Sequence, residues 1–176
     1  MIAFANVSKQ YGKQILFVDA SFQLNPGEKV GLVGPNGAGK TTIFRMITGE
    51  EGPDEGEVTL GAPGVAYIRQ ELALFPHLTV AENILMGREP ARFGVIDQEA
   101  MTSRARALLG EFGRPEIASD DIVGGLSPAS RQVVEICRAL AADARLILMD
   151  EPTSSLERAD VDRLFASIRK LCARGI

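Results

Sequence analysis

Histidine is nearly absent from this 176-residue chain, which carries only His77. That scarcity excludes a histidine zinc cluster, and a serine–histidine–aspartate triad with spare partners. Cysteine is almost as rare. Cys137 and Cys172 both fall in apolar helical patterns, which suits two reduced, buried thiols better than a disulfide. A basic excess is missing too: 19 Lys and Arg against 23 Asp and Glu leave a net charge of −4, which argues against a general nucleic-acid binder. No run approaches the roughly 18 uninterrupted apolar residues that a membrane-spanning helix needs. The opening MIAFANVSKQYGKQ lacks the basic start and apolar core of a signal peptide. Neither an internal repeat nor a low-complexity linker is visible.

What is present is an ordinary globular composition, 45% hydrophobic and 24% charged, which excludes disorder for the bulk of the chain. The length suits one domain with a sizeable core. Strand-like segments cover residues 2–7, 29–33, 57–60, 65–69 and 145–149, with a Gly-Ala-Pro-Gly turn at 61–64. Helical patterns cover residues 39–48 and 97–112, where Asp97 is a plausible N-cap for a face of Met101, Ala105, Leu108, Leu109 and Phe112. Ser127 is placed to cap a helix carrying Val133, Ile136, Cys137 and Leu140, and Val161, Leu164, Phe165, Ile168, Leu171 and Cys172 mark a last amphipathic helix. Strands alternating with helices predict an α/β domain with a mainly parallel sheet. Residues 75–125 read as mostly helical and as a subdomain attached to the sheet core.

Gly34-Pro35-Asn36-Gly37-Ala38-Gly39-Lys40-Thr41-Thr42 fits G-x-x-x-x-G-K-[ST] between a strand candidate, VGLV, and a helix candidate. In such a loop glycines turn backbone N–H groups inward around phosphate oxygens, and the helix N-terminus adds donors and partial positive charge. Lys40 would reach the β- and γ-phosphates and the Thr41 hydroxyl would ligate Mg²⁺. A second acidic site, Asp150-Glu151-Pro152-Thr153, comes after the apolar strand ending at Met149. Carboxylates at the carboxyl end of a parallel strand lie where open α/β sheets bind ligands. Asp150 would support Mg²⁺, and Glu151 would polarise an attacking water as general base.

Together these matches resemble the ATP-binding cassette (ABC) ATPases over the whole chain. The resemblance implies a phosphate-loop nucleoside triphosphatase fold with N-terminal antiparallel strands. It implies that Tyr11 stacks on adenine, and that Gln70 contacts Mg²⁺ and the attacking water. Leu126-Ser127-Pro128-Ala129-Ser130 occupies the place of the family's LSGGQ signature, which covers the phosphate bound by a second cassette. Ser127 keeps its hydroxyl and N–H there. Pro128 cannot donate an N–H, and Pro128 and Ala129 add bulk where backbone should approach phosphate. Gln132, one turn into that helix, is the candidate replacement for the missing glutamine. Ser155-Leu156-Glu157 resembles the loop that crosses the interface between cassettes, with Glu157 where the family has aspartate.

The stretches YIRQELALFPHLTVAENILMGREP and VVEICRALAADARLILMDEPTSSL resemble ATPase subunits of bacterial sugar importers from about Gly64 onward. The first 60 residues resemble more the soluble ABC-F proteins that act on ribosomes, so the chain reads either as a chimera or as natural divergence. The family's switch histidine has no counterpart after Glu151, which marks a cassette incomplete at its C-terminus. The resemblance implies an ATP-binding subunit that binds and hydrolyses MgATP to drive sugar import. It would work as a homodimer or pseudo-dimer of cassettes, in the cytoplasm, at the inner face of the membrane. A permease would dock on residues 75–92, where Phe75, Leu78, Val80 and Ile84 offer an apolar surface and His77 lies in a surface loop. The alternatives are a soluble ABC-F-type translation factor and a truncated or chimeric cassette that binds nucleotide without turnover.

Overall fold

A computed structural model describes the chain from Met1 to Ile176 except Pro26, Lys29, Pro35, Asn36, Ala62, Pro63 and Ser155. It divides into two compact units, Met1–Val65 and Ala66–Ile176.

In the first unit, β1 (Ile2–Tyr11) lies between β2 (Gln14–Leu24) and β3 (Glu55–Leu60), antiparallel to both. Ile2 and Phe4 point inward by ordinary alternation, and Phe4 stacks on Phe22 with ring centroids 4.4 Å apart. The register then shifts between Phe4 and Val7, with Asn6 at φ 51, so Val7 and Lys9 keep facing the core. Gly56 makes this irregularity possible. Its φ is 83, and a Cβ there would collide with the Asn6 carbonyl oxygen. Helix α1 (Lys40–Ile47) begins after Gly39 and buries Thr42, Met46 and Ile47.

The predicted strand at residues 29–33 is not observed. Lys29 lies outside the described residues. Residues 30–34 join no ladder among the described residues, with Val30 62% and Val33 93% exposed. A β-prone apolar run becomes a strand only where a neighbour offers it hydrogen bonds, and propensity does not supply that neighbour. Conversely, β2 forms where the sequence pattern predicts no strand, because a two-residue turn containing Gly12 at φ 57 returns it onto β1.

β4 (Val65–Ile68), which falls in the second unit from Ala66 on, pairs with β7 (Leu146–Met149). The Asp150 N–H donates to the Ile68 carbonyl at 3.0 Å, so the carboxyl ends of the two strands meet, as parallel strands require. Between them run α2 (Val80–Leu85), the short hairpin of β5 (Ala91–Arg92) and β6 (Val95–Ile96), α3 (Gln98–Glu111) and α4 (Pro128–Ala141), and α5 (Arg158–Ala173) comes after β7. Thr79 and Glu82 form a reciprocal capping box on α2, the Asp97 side chain caps α3 through the Ala100 N–H, and Ser127 caps α4.

One core joins these helices to β4: Ile68, Ile84, Leu85, Leu109, Val134, Ile136 and Leu164 are all buried in it. Asn83 sits inside this core with no exposure. It accepts the Phe75 N–H and donates to the carbonyls of Phe75, Leu78 and Thr79, which pins the preceding loop. Cys137 is buried and Cys172 half-buried, and both are free thiols. Among the described residues no helix is long and apolar enough to cross a membrane.

Candidate functional site

The loop expected to bind phosphate lies in the first unit, ahead of α1. Gly37 and Gly39 adopt φ 83 and 85, a region that L side chains rarely enter, so the motif's glycines stand where the turn needs them. Gly39 is constrained twice, because a Cβ there would also lie 3.2 Å from the Phe17 ring on β2. Lys40 opens α1, and its Nζ donates to the Gly34 carbonyl at 2.7 Å, closing the loop on itself. Thr41 is exposed on the first turn. Thr42 is buried. Ala38 and Gly37 are exposed, and Pro35 and Asn36 lie outside the described residues. The first turn of α1 contains no acidic residue, so nothing there opposes an anion at the helix N-terminus.

Tyr11 ends β1 and is 47% exposed, so it does not pack into the core. Its hydroxyl donates to the Glu51 carboxylate, and the Lys9 ammonium lies over its ring, 5.4 Å from the centroid. Lys9 is itself buried. It pairs with Glu51 at 3.2 Å and Asp54 at 3.0 Å, and donates to the Gly52 carbonyl. These partners hold the Lys9 ammonium above its ordinary pKa, Asp54 first among them. The Tyr11 hydroxyl and the Lys9 ammonium hold Glu51 below the usual carboxylate range, and the Gln10 N–H does the same for Asp54. No sequence motif marks Lys9, Glu51 and Asp54. Their only signal is a lysine two residues before an aromatic on one strand face, and the acidic partners come from a loop some forty residues away.

The second unit brings Gln70, Asp150 and Glu151 to the joined ends of β4 and β7. Asp150 is buried and accepts the Tyr67 hydroxyl at 2.9 Å. Tyr67, another residue that the sequence does not single out, has the Arg69 guanidinium 5.5 Å from its ring centroid. Gln70 is exposed just beyond β4. Glu151 is half-buried at φ 45, a left-handed conformation that is costly for a residue with a Cβ and that turns the chain sharply out of β7. A strained acidic residue after a buried acidic one at a strand end is an arrangement that functional sites retain.

The Ser127 hydroxyl is exposed at the start of α4. It accepts the Ser130 N–H at 3.2 Å and donates to the Ser130 hydroxyl, which also receives the Arg114 guanidinium. Pro128 fills the first helical position, where its missing N–H costs the helix nothing. The candidate substitute Gln132 is buried within α4 and is not presented to a ligand, because its position falls on the helix face that packs inward. Glu157 precedes α5 without a side-chain cap bond, and Ser155 lies outside the described residues. The apolar docking surface expected at residues 75–92 is corrected in part. Val80 and Ile84 belong to the core because α2 turns its apolar face inward, whereas Phe75 and His77 are exposed.

Hard oxygen donors suit Mg²⁺, and the Thr41 hydroxyl, the Asp150 carboxylate and the Gln70 amide oxygen are donors of that kind. No group of three or more His, Cys, Asp or Glu able to hold a metal occurs among the described residues. Mg²⁺ carried with a polyphosphate requires no such group. A cleft of about 480 Å³ along α3, lined by Gln98, Glu99, Thr102, Ser103 and Arg106, contains none of these residues.

The profile of the ABC transporter family matches residues 17–154 of this chain. A ribose import ATP-binding protein of Rhodococcus jostii is 46% identical over 99% of this chain, and one of Chromobacterium violaceum is 40% identical over 99%. Both matches run through the seam at residues 60–64. The chain spans about 37% of the length of these curated relatives. Among solved structures, a nucleotide-free ATP-binding cassette from an ABC transporter superposes with a TM-score of 0.85 at 25% identity, over 100% of this chain and 78% of that one. A dimeric cassette in a post-hydrolysis state bound to ADP and Pi gives 0.80 at 26% identity, over 99% of this chain and 84% of that one.

Proposed function

Because the chain belongs to the ABC transporter family, we propose that it is an ATP-binding cassette that binds and hydrolyses MgATP to drive import of a sugar. The observation that carries this reading is the Lys40 ammonium held on the Gly34 carbonyl, across a loop in which Gly37 and Gly39 occupy left-handed backbone. That ammonium is stored where it can be exchanged for a phosphate oxygen.

In this reading the N–H groups of the Gly37–Thr42 stretch and the N-terminus of α1 bind the phosphates, and Lys40 moves from Gly34 to the β- and γ-oxygens. Tyr11 stacks on adenine with its accessible surface. Mg²⁺ would neutralise charge on the phosphates, and Thr41 in the first unit and Asp150 and Gln70 in the second are the oxygen donors proposed for it. Tyr67 orients the Asp150 carboxylate through its hydroxyl. Glu151 accepts the proton of the attacking water, and Gln70 orients that water. Ser127 of a second cassette meets the γ-phosphate from the opposite side. Residues 75–125 form the helical subdomain, and the exposed Phe75–His77 segment faces a membrane permease from the cytoplasmic side.

A second reading, nucleotide binding with little turnover, is favoured by the signature segment. Pro128 offers no N–H there, and the Ser127 hydroxyl is already engaged with Ser130. Thermal unfolding with and without MgATP, beside phosphate release, tests both. At a hundred times Kd, ligand binding adds about 2.7 kcal/mol, which raises Tm by roughly 5–10 °C for a chain of this size. Lys40→Ala abolishes that rise. An unchanged melting curve for the unmutated chain at saturating MgATP removes the nucleotide-binding reading, and a full rise without phosphate release selects the second reading.

A further inference from the structure

The cluster beneath Tyr11 does more than the phosphate loop requires. Lys9 and Tyr11 stand two residues apart on β1, on one face of the strand. Glu51 and Asp54 come from the loop between α1 and β3, the far end of the helix that begins at the phosphate loop. Glu51 touches both partners, accepting the Tyr11 hydroxyl and pairing with the Lys9 ammonium, while Lys9 lies over the Tyr11 ring. Each of the three side chains therefore contacts the other two. Glu51 is fixed in turn by its own N–H, which donates to the Arg45 carbonyl at the last turn of α1, and Asp54 is fixed by its N–H on Ser8 and by its carboxylate on the Gln10 N–H. The hairpin bearing Tyr11 also reaches the phosphate loop directly, since Phe17, the cross-strand partner of Lys9, lies against Gly39.

We propose that Lys9, Glu51 and Asp54 are positioning residues that hold the Tyr11 ring as a rigid platform for the purine base of the nucleotide. This rests on the reading of Tyr11 as the base-stacking residue. The hydroxyl anchor to Glu51 stops the ring from turning about its side-chain torsions, so less rotamer entropy is lost when a base arrives. The ammonium over one face draws on the ring's negative quadrupole and leaves the opposite face less electron-rich, which favours stacking by an electron-rich purine. Because Glu51 hangs from the end of α1, base and phosphates are read by two ends of one rigid helix, and their separation is set by its length. A buried lysine costs desolvation, and three partners around Lys9 offset that cost. Two carboxylates would suffice for an ion-pair network, so the ring contact and the tyrosine bond are what a platform adds.

The test compares two ligands on the full chain: MgATP, and Mg-tripolyphosphate, which keeps the phosphates and lacks the base. Calorimetric Kd values are measured for the unmutated protein and for Tyr11→Ala, Lys9→Met, Lys9→Arg and Glu51→Gln. Lys9→Met and Glu51→Gln are expected to weaken MgATP by about five- to tenfold and leave tripolyphosphate unchanged, and Lys9→Arg restores most of the loss. Unchanged tripolyphosphate affinity also certifies that the variant is folded. Should Lys9→Met fail to fold, the isosteric Glu51→Gln carries the comparison. If Tyr11→Ala weakens MgATP while Lys9→Met and Glu51→Gln do not, the platform is overturned and base stacking stands. If Tyr11→Ala leaves MgATP affinity unchanged, the stacking reading itself fails, and the platform with it. Equal loss of both ligands in Glu51→Gln overturns the platform in favour of a purely structural role.

Discussion

Gly39 and Phe17 are in contact across the boundary between the phosphate loop and the N-terminal hairpin: a Cβ on Gly39 would come within 3.2 Å of the Phe17 ring, in a backbone already at φ 85. The loop is thus held by a neighbouring strand as well as by its own hydrogen bonds. Gly37, at nearly the same φ, has nothing among the described residues within 4 Å of such an atom. The two glycines separate backbone strain from steric contact. Gly37→Ala is expected to cost about 1 kcal/mol from strain alone, and Gly39→Ala about 2–3 kcal/mol because Phe17 must also move. Urea unfolding measures both, and equal losses would show that Phe17 yields freely.

Glu151 combines the proposed proton acceptor with left-handed backbone at φ 45. Glu151→Gln keeps the shape and is expected to retain MgATP binding while lowering phosphate release by about 10²–10⁴-fold. Glu151→Gly relieves the conformational cost and is expected to raise stability by about 1 kcal/mol while abolishing the same activity. Undiminished turnover in either variant removes Glu151 from the chemistry.

Asn83 is a fully buried polar side chain outside the site, with its amide satisfied by Phe75, Leu78 and Thr79. Asn83→Ala removes the partner of the Phe75 N–H and opens a void in the core, while the carbonyls of Phe75, Leu78 and Thr79 keep the N–H groups of Leu78, Val123 and Asn83. The expected loss is about 2–4 kcal/mol, read as a Tm lower by roughly 5–15 °C. The loop bearing Phe75 and His77 should exchange its amide hydrogens faster in this variant.

Glu135 lies buried on α4 with its Oε2 3.8 Å from the Arg138 guanidinium, beyond hydrogen-bonding range. Burial pushes its carboxyl above the ordinary value of 4.5, and Arg138 only partly restores it. An acid whose folded pKa is raised binds its proton more tightly when folded. It therefore destabilises the protein increasingly as pH rises from the unfolded value through the folded one, and the full penalty stands above both. Glu135→Gln should stabilise the protein by about 1 kcal/mol at neutral pH, with the gain vanishing as pH falls below 4.5. A gain independent of pH would contradict this assignment.

Much of the site is legible in the order of residues. The spacing of Gly34, Gly39, Lys40 and Thr41 specifies a loop opening a helix, and α1 begins at Lys40 after Gly39. Asp97 and Ser127 cap the helices they precede, because capping is a contact between residues three apart. Contacts over long separations are not legible in this way. Lys9 meets Glu51 and Asp54, and Tyr67 meets Asp150, only once strands distant in sequence have been paired.

By itself, the order of residues determined the local chemistry of this protein: where its helices start, which loop can cradle phosphate and which carboxylates come after a strand. These depend on torsions and on neighbours within a turn. Tertiary structure alone decided that residues 30–34 join no ladder among the described residues, that Val80 and Ile84 go inward, and that Lys9 is buried against Glu51 and Asp54. Strand pairing and burial are properties of surfaces brought together from afar, and no window of sequence contains both sides of such a contact.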